Sequence, residues 1–304
     1  MVTYEDFKLR VSDLVRKHYE NLGRVVDVSI MKVRKTNGVE LDGLVISRRD
    51  GFSNISPTIY LNGYYQKFLD GKTLVYVLDE IIKVYDENQI SSFDVGTFID
   101  FDRAKKQIKC RIINTEWNKE LLELVPHVDF LDMSVIFMVE TELIPGGFIT
   151  IYNHHLNIWE VSEEEVIKAA KENFAKEDFQ ITDMLTILYG IREDDEEMNV
   201  FREALGFDTE MYVLTNQSKL FGAVAILQEK CMEEVAKLFN GDFFIIPSSI
   251  HETIALEALD TSEESIMELR EMIDEVNTTQ LRVEEQLSQN VYLYDTTTKK
   301  LTIA

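Results

Sequence analysis

The sequence predicts an α+β protein in which several antiparallel hairpins pack with amphipathic helices. Hydrophobic residues make up 45% of the 304 positions and charged residues 28%, a composition typical of globular chains that bury a core. Apolar residues recur with helical spacing in some segments and alternate in others. Pairs of strand-like runs joined by short turns outnumber strand–helix–strand units, which favours α+β over a doubly wound parallel sheet.

The first elements are a helix and a hairpin. Apolar residues recur on one side of an expected helix at Tyr4–Leu22. Strands are expected next at Val25–Arg34 and Val39–Ser47. The dipeptide Asn37-Gly38 lies between them and favours a tight hairpin turn, because both residues tolerate positive φ.

Capping residues predict where later helices begin. Thr73 can cap a helix that extends to about Glu87. Ser162 and Glu165 form a capping box, which predicts a helix start just before a run of apolar residues. Two further helices are expected at Met232–Phe239 and Ser262–Val276.

The remaining strands are read from short apolar or alternating runs between turn residues. They are expected at Thr58–Leu61, Leu131–Glu142, Gly147–Asn153, Met211–Thr215, Gly222–Leu227, Asp242–Ile246, Ile250–Glu257 and in a last hairpin at Asn290–Ile303. Leu131–Glu142 is predicted to pair with Gly147–Asn153 as a hairpin, and Met211–Thr215 is predicted to pair with Gly222–Leu227. The acidic segment Arg192–Asn199 is predicted to be an exposed loop.

Charge divides the chain into two parts. Residues 1–127 contain 19 Lys+Arg and 19 Asp+Glu, whereas residues 128–304 contain 12 and 36 and carry the whole net charge of −24. This contrast predicts a charge-balanced α+β domain at 1–127 and an acidic α+β domain at 128–304, although a single domain is compatible with it. An acidic surface repels phosphate backbones, so direct nucleic-acid binding is not expected.

The cysteines and the apolar runs indicate a cytoplasmic protein. Cys110 and Cys231 are isolated, which suits reduced thiols better than a disulfide framework. The longest apolar stretches, such as Leu220–Leu227, are much shorter than the roughly 18–20 residues of a membrane helix. The first residues carry charges where a signal peptide is apolar, so neither export nor membrane attachment is expected.

Ser249 and His251 are the candidate catalytic residues, because a hydroxyl and an imidazole follow a strand-like run at close spacing. In a strand their side chains share one face, whereas Glu252 points to the other face and cannot orient His251. Ser249 would therefore act with His251 alone or with a distant third group. The alternative interpretation is a polar strand end with satisfied hydrogen bonds.

Histidines also suggest a metal site, with His127, His154 and His251 as candidate ligands. His154 and His155 are adjacent and point apart, so one of them at most is expected to serve a given metal. The His251 segment is not an HExxH zinc motif, because Ala255 stands where the second histidine is required.

Cofactor-binding motifs are missing from the sequence. Gly71-Lys72-Thr73 resembles the end of a phosphate-binding P-loop, but Gln66 occupies the position of the required first glycine. The chain contains no GxGxxG motif. No cofactor is therefore predicted.

Several segments, read in order, resemble a known family. They are SNISPTIYLNGYY (Ser53–Tyr65), NHHLNIWEVSEEE (Asn153–Glu165), MYVLTN (Met211–Asn216), FFIIPSSIHE (Phe243–Glu252) and EVNTTQLRVEEQLSQNVYLYD (Glu275–Asp295). The chain resembles uncharacterised proteins of anaerobic Gram-positive bacteria that are classed as a domain of unknown function. More distantly, GDFFIIPSS (Gly241–Ser249) is similar to YtpQ-like proteins, which are also uncharacterised. The resemblance implies an intracellular bacterial protein and supplies no catalytic residue.

Two functions remain open from the sequence. The first is protein binding, in which the acidic surface meets a partner with a basic surface; in a narrower form, that surface imitates DNA. The second is a hydrolase or metal-dependent enzyme centred on His251. The sequence does not indicate an oligomeric state.

Overall fold

Antiparallel strand pairs and helices account for the regular structure of the chain, which confirms the predicted α+β class. The computed structural model describes residues 2–49, 55–89, 95–141, 146–190 and 210–304. The chain divides into unit 1, Met1–Gly96, and unit 2, Thr97–Ala304. No helix in the described ranges has the length and apolar character needed to cross a membrane.

Unit 1 is a three-stranded antiparallel sheet in the order β1-β2-β3, with helices packed on one of its faces. Its elements are α1 (Tyr4–Asn21), β1 (Val26–Arg34), β2 (Glu40–Arg48), β3 (Thr58–Tyr60), α2 (Leu61–Leu69) and α3 (Leu74–Glu87). The predicted cap is confirmed, since the Thr73 side chain accepts a hydrogen bond from the Tyr76 N–H.

The first hairpin follows from its turn residues. β1 and β2 pair from Val26 opposite Arg48 to Arg34 opposite Glu40. Asn37 and Gly38 have φ values of 58° and 68°, as expected for residues that accept a left-handed turn. The predicted hairpin is therefore confirmed.

A buried carboxylate lies in the middle of unit 1. Asp42 on β2 is 2% exposed, and its carboxylate lies 3.4 Å from Lys8 Nζ and 3.3 Å from Lys32 Nζ. Burial by itself would raise the pKa of Asp42. The hydrogen bond from Lys32 and the positive charge of Lys8 act in the opposite direction, and the net effect is a pKa below the ordinary value.

Unit 2 contains most of the elements. The helices are α4 (Val95–Ile99), which begins before the division, α5 (Phe101–Ala104), α6 (Lys119–Leu122), α7 (Asn153–Trp159), α8 (Glu163–Phe174), α9 (Met184–Tyr189), α10 (Glu229–Phe239) and α11 (Glu263–Thr279). The strands are β4 (Ile108–Asn114), β5 (His127–Phe130), β6 (Met133–Thr141), β7 (Gly147–Thr150), β8 (Phe179–Asp183), β9 (Met211–Asn216), β10 (Phe243–Pro247), β11 (Thr253–Glu257), β12 (Tyr292–Asp295) and β13 (Lys300–Ile303). The capping box of Ser162 and Glu165 at the start of α8 is confirmed.

Two antiparallel sheets form the frame of unit 2. In the smaller sheet β6 pairs with β4, β5 and β7, so the predicted pairing of β6 with β7 is confirmed. The larger sheet has the order β13-β12-β10-β11-β9-β8, and β12 and β13 form the predicted last hairpin. One hydrophobic core contains side chains from both sheets, including Phe137 of the smaller and Phe243 of the larger.

Two strand predictions are wrong in part. Gly222–Leu227 forms a 3₁₀ helix instead of a strand paired with β9. Ser249–Glu252 forms a turn, and β11 begins only at Thr253. A short apolar run such as Gly222–Leu227 does not distinguish a strand from a buried turn of helix by its pattern alone. Arg192–Asn199, the predicted loop, lies outside the described residues.

The predicted domains 1–127 and 128–304 do not coincide with the two units. The structure divides the chain between Gly96 and Thr97. β4 precedes residue 127 and pairs with β6, which follows it, so a boundary at 127 would separate neighbouring strands of one sheet. Surface charge changes along a chain without regard to strand pairing, and here it changes inside unit 2.

Asp132 connects the turn between β5 and β6 to the segment that leads into β12. Its carboxylate accepts hydrogen bonds from Ser288 Oγ at 2.7 Å, Asn290 Nδ2 at 3.0 Å and Tyr292 OH at 2.8 Å. Ser288 and Tyr292 are fully buried. One side chain thus joins the two sheets of unit 2 with three hydrogen bonds to a carboxylate, a strong type of hydrogen bond.

Asp132→Ala is expected to lower the free energy of unfolding of unit 2 by about 3 kcal/mol, because it leaves buried donors without their acceptor. Urea unfolding followed by tryptophan fluorescence measures this loss. Asp178→Ala is the matched control, since Asp178 is an exposed aspartate of the same unit. Equal effects of the two substitutions would contradict a special role for Asp132.

Asp42→Asn is expected to lower the stability of unit 1 at pH 7 by about 2 kcal/mol, a value kept modest because Lys32 is largely solvated. The folded-state pKa of Asp42 is lowered, so its contribution is present above the unfolded-state pKa and is lost as pH falls through the folded value. Hydrogen exchange of unit 1 peptides between pH 3 and pH 7 measures both effects. A variant with the same acid sensitivity as the natural chain would contradict this assignment.

Candidate functional site

Ser249 and His251 lie in the turn between β10 and β11. The Ser249 N–H donates to the Glu252 carbonyl at 3.0 Å and closes the turn. The Ser249 hydroxyl oxygen accepts a hydrogen bond of 3.0 Å from the backbone N–H of His251. Ser249 is 6% exposed, so its hydroxyl is directed into the turn and away from solvent.

The His251 imidazole holds a neighbouring loop. Its Nδ1 accepts a hydrogen bond of 3.1 Å from the backbone N–H of Phe221, and its ring stacks on the Phe221 ring at 5.4 Å. Because Nδ1 is the acceptor, the proton of the neutral ring resides on Nε2. The His251 carbonyl also accepts a hydrogen bond of 2.9 Å from the Thr215 hydroxyl.

Burial lowers the pKa of His251 below its ordinary value. The carboxylate of Glu285 opposes this effect, whereas the positive charges of Arg111 and Arg282 add to it. The imidazole is therefore neutral at pH 7, the state in which Nδ1 can accept the Phe221 hydrogen bond.

The stack continues on the Phe221 ring. The Arg111 guanidinium lies 4.3 Å from the centre of this ring, and Phe148 meets the ring edge to face at 5.3 Å. Burial lowers the pKa of Arg111 to about 10, so the guanidinium remains charged at neutral pH. A cation over an aromatic face is attracted by the ring quadrupole.

Gly222 is the point at which the loop approaches β9 most closely. A Cβ atom there would lie 2.3 Å from Thr215 Oγ1 and 2.5 Å from the Asn216 backbone nitrogen. Just before it, Lys219 and Phe221 have φ values of 56° and 57°, a left-handed conformation that non-glycine residues adopt infrequently. The contacts of His251 hold the loop in this path, and the lack of a side chain at Gly222 permits its close approach to β9.

The described geometry uses Ser249 and His251 to shape backbone. A serine nucleophile requires a base within hydrogen-bond reach of its hydroxyl, but Ser249 Oγ bonds to backbone and His251 Nδ1 does the same. A catalytic role for the pair stays a prediction. Sequence reasoning missed Phe221 and Arg111, because their sequence distance from His251 hides the contact.

The other candidate metal ligands lie in separate surroundings. His127 on β5 has its Nδ1 3.1 Å from the Val125 carbonyl and its Nε2 4.0 Å from Asp129. His154 is exposed on α7, next to His155. The Nδ1 of His155 accepts a hydrogen bond of 3.0 Å from the Tyr152 N–H and so caps that helix.

No group of three or more His, Cys, Asp or Glu side chains in the described ranges is placed to hold a metal ion. The structure therefore does not gather His127, His154 and His251 into such a group within those ranges. A metal role for the three histidines rests on the sequence alone.

A cleft of about 290 Å³ opens beside the loop that follows β9 and whose Phe221 contacts His251. One wall is formed by β4, β6 and β7, and the other by Lys176–Asp178 and Asn216–Leu220. The Asn216 side chain donates to the Leu220 carbonyl at 2.8 Å and accepts from the Leu220 N–H at 3.2 Å. These two bonds fix the shape of the second wall from within the protein.

A second surface feature is the acidic stripe of α11, formed by Glu264, Glu268, Glu271 and Glu275. All four residues are exposed. At 100° per residue, their side chains project within an arc of about 60°. The opposite side of α11 packs through Ile273, with Ile266 and Leu269 beside it, against the larger sheet. The stripe therefore faces solvent across its whole length in unit 2.

Comparison with known proteins identifies a family. Residues 4–296 match the model of a family of unknown function (DUF5688), and the chain belongs to that family. Neither a curated protein nor a solved structure matches the chain significantly. The predicted resemblance to an uncharacterised family is thereby confirmed, while the bacterial source and the likeness to YtpQ-like proteins stay predictions.

Lowering the pH is expected to destabilise the natural chain more than it destabilises the His251→Asn variant. The folded-state pKa of His251 is lowered, so its contribution is present above the unfolded-state pKa and is lost as pH falls from about 6.5 through the folded value. Asn is the matched replacement, because its Oδ1 is bonded to Cγ as Nδ1 is in histidine and cannot titrate near neutrality.

The measurement is the free energy of urea unfolding at pH 7.5 and pH 5.0 for both proteins, with the His251 pKa determined by NMR. The other four histidines are common to both proteins, so the difference isolates His251. A His251 pKa above 6.5, or equal pH responses, would contradict the buried neutral imidazole.

Proposed function

We propose that this member of the DUF5688 family acts by binding a protein with a basic surface, through the acidic surface of unit 2. The carrying observation is the acidic stripe of α11. Residues 97–304 contain 18 Lys+Arg and 41 Asp+Glu, whereas residues 1–96 contain 13 and 14, so the excess of negative charge belongs to unit 2.

Residues in the described ranges do not neutralise the acidic stripe. Glu264, Glu268 and Glu271 form no salt bridge with any residue in the described ranges. The only basic residue of α11, Arg270, donates to the Ala304 carbonyl from outside the stripe. An array of carboxylates without internal partners is complementary to Lys and Arg side chains of another protein.

The stripe also weakens its own helix. Glu264 and Glu268, and likewise Glu271 and Glu275, are four residues apart, and Glu268 and Glu271 are three apart. Like charges at these spacings destabilise a helix by about 0.2–0.5 kcal/mol per pair. A stripe that served solubility alone would not need this spacing, whereas a stripe that binds cations gains from closely spaced carboxylates.

Exposed methionines flank the acidic stripe. Met267 is 62% exposed and Met272 is 55% exposed, and they lie on opposite sides of the four carboxylates. Methionine is flexible and polarizable, so it adapts to varied partner surfaces. The combination suits a partner segment that carries both basic and apolar side chains.

We place this action in the cytoplasm. Cys110 and Cys231 are both free thiols, and burial raises the pKa of each to about 12. Thiols held protonated react slowly with oxidants and disulfides. This state suits a protein that works in a reducing compartment.

The test is affinity capture from a cell lysate with Glu268→Gln/Glu271→Gln/Glu275→Gln and with the natural chain, each at about 50 mM and 500 mM salt. The natural chain is expected to retain a basic protein at low salt and release it at high salt, because salt screens exposed charges. The variant should retain at least tenfold less of this partner at low salt, and its melting temperature should be equal or higher.

A matched control removes three exposed carboxylates from unit 1: Asp6→Asn/Glu20→Gln/Asp79→Asn. This control should retain the partner as the natural chain does. Capture that does not depend on salt, or that falls equally in both variants, would contradict binding through α11. A preparation without a stoichiometric partner would direct attention to the hydrolase or metal-dependent alternative at His251.

A further inference from the structure

The wall of the cleft that β4, β6 and β7 form is called the floor, and the register of these strands determines which side chains line it. On β4 and β6, Lys109 lies opposite Met138. On β6 and β7, Glu140 lies opposite Phe148. Met138 and Glu140 are two residues apart on β6 and share one face of the sheet. All four side chains therefore line the same side, and all four border the cleft.

This register places side chains of opposite charge on neighbouring strands. Lys109 and Glu140 are diagonal neighbours, a relation in which the two residues lie about 7–8 Å apart and their Cβ atoms somewhat closer. The Lys109 ammonium lies 3.5 Å from the Glu177 carboxylate, which draws it toward the rim. Glu140 has no hydrogen bond or ion pair with a described residue. The floor thus presents the Lys109 ammonium beside Met138 and the Glu140 carboxylate beside Phe148, and this carboxylate has no ion-pair partner among the described residues.

The opposite wall supplies both signs of charge and an apolar side chain. Lys176, Asp178 and Leu220 line this wall, and the first two are exposed. The side chain of Asn216 already bonds to the Leu220 backbone, so the wall is built before any ligand enters. Most of the side chains that line the cleft are polar or charged, and Met138, Phe148 and Leu220 supply apolar contacts, so the cleft suits a ligand that combines charged groups with an apolar part.

The charges select among ligand classes. A ligand with only negative charge would face Glu140, Glu177 and Asp178, and a ligand with only positive charge would face Lys109 and Lys176. A ligand that carries an ammonium, a carboxylate and an apolar part can pair with lining residues of both charges and cover the apolar side chains of Met138, Phe148 and Leu220. We propose that the cleft binds a free amino acid with an apolar side chain.

In this site Glu140 accepts the hydrogen bonds of the ligand ammonium, and Lys109 and Lys176 bind its carboxylate. Met138, Phe148 and Leu220 contact the ligand side chain. Lys109 and Glu140 project from the same face of neighbouring strands, so their long side chains can contact the two charged ends of a ligand that carries its ammonium and its carboxylate on one carbon atom. No residue of the acidic stripe takes part, so this inference stands apart from partner binding.

Isothermal titration calorimetry on the full chain tests the proposal with three probes of similar shape: L-leucine, 4-methylpentanoate and 3-methylbutylamine. L-leucine is expected to bind, and each analogue should bind at least tenfold more weakly because one ion pair is missing. No heat with L-leucine up to about 10 mM, or equal binding of all three probes, would overturn the proposal.

Two variants assign the ends of the ligand. Glu140→Gln should weaken L-leucine at least tenfold and leave 4-methylpentanoate unchanged, whereas Lys109→Met should weaken L-leucine and leave 3-methylbutylamine unchanged. Glu268→Gln, which changes an exposed carboxylate on α11 that does not line the cleft, is the matched control and should bind as the natural chain does. Thermal melting establishes that each variant is folded. L-leucine affinity unchanged in folded Glu140→Gln would contradict the site.

Discussion

The arrangement of unit 2 depends on the hydrogen bonds that the Asp132 carboxylate accepts. Three donors from a short segment before β12 and from β12 itself converge on it, and two of those residues are fully buried. Apolar packing brings the two sheets into one core, but packing is non-directional and tolerates sliding. Hydrogen bonds to a carboxylate have fixed geometry, so they select one register of the sheets among those that packing permits.

Local chemistry made much of the fold predictable. Asn37-Gly38, Thr73 and the Ser162 capping box act through neighbours within a few residues, and the structure has all three as expected. The strand prediction failed at Gly222, because the close neighbours of this residue are the Thr215 hydroxyl, the Asn216 backbone nitrogen and the His251 carbonyl. No pattern within Gly222–Leu227 carries that information, and the same is true of the donors that meet at Asp132.

In the candidate site, likewise, residue types were predictable from the sequence and long-range contacts were not. Sequence reasoning selected Ser249 and His251 by residue type, and the structure places both in one turn. Their partners are backbone groups, and the aromatic and guanidinium neighbours of His251 come from distant segments. The excess of acid in the second part of the chain was visible from composition. Its concentration on one face of α11 required the helix bounds, since only they show which glutamates are aligned.

The order of strands in the larger sheet has a consequence for synthesis. β10 has β11 on one side and β12 on the other, so this central strand gains its second neighbour only when synthesis has passed β12. The donors to Asp132 also lie more than 150 residues after it in sequence. Unit 1 closes through contacts within its first 96 residues and can fold on the ribosome. Unit 2 must wait with an open sheet edge, which makes its nascent chain a candidate for chaperone binding until β12 emerges.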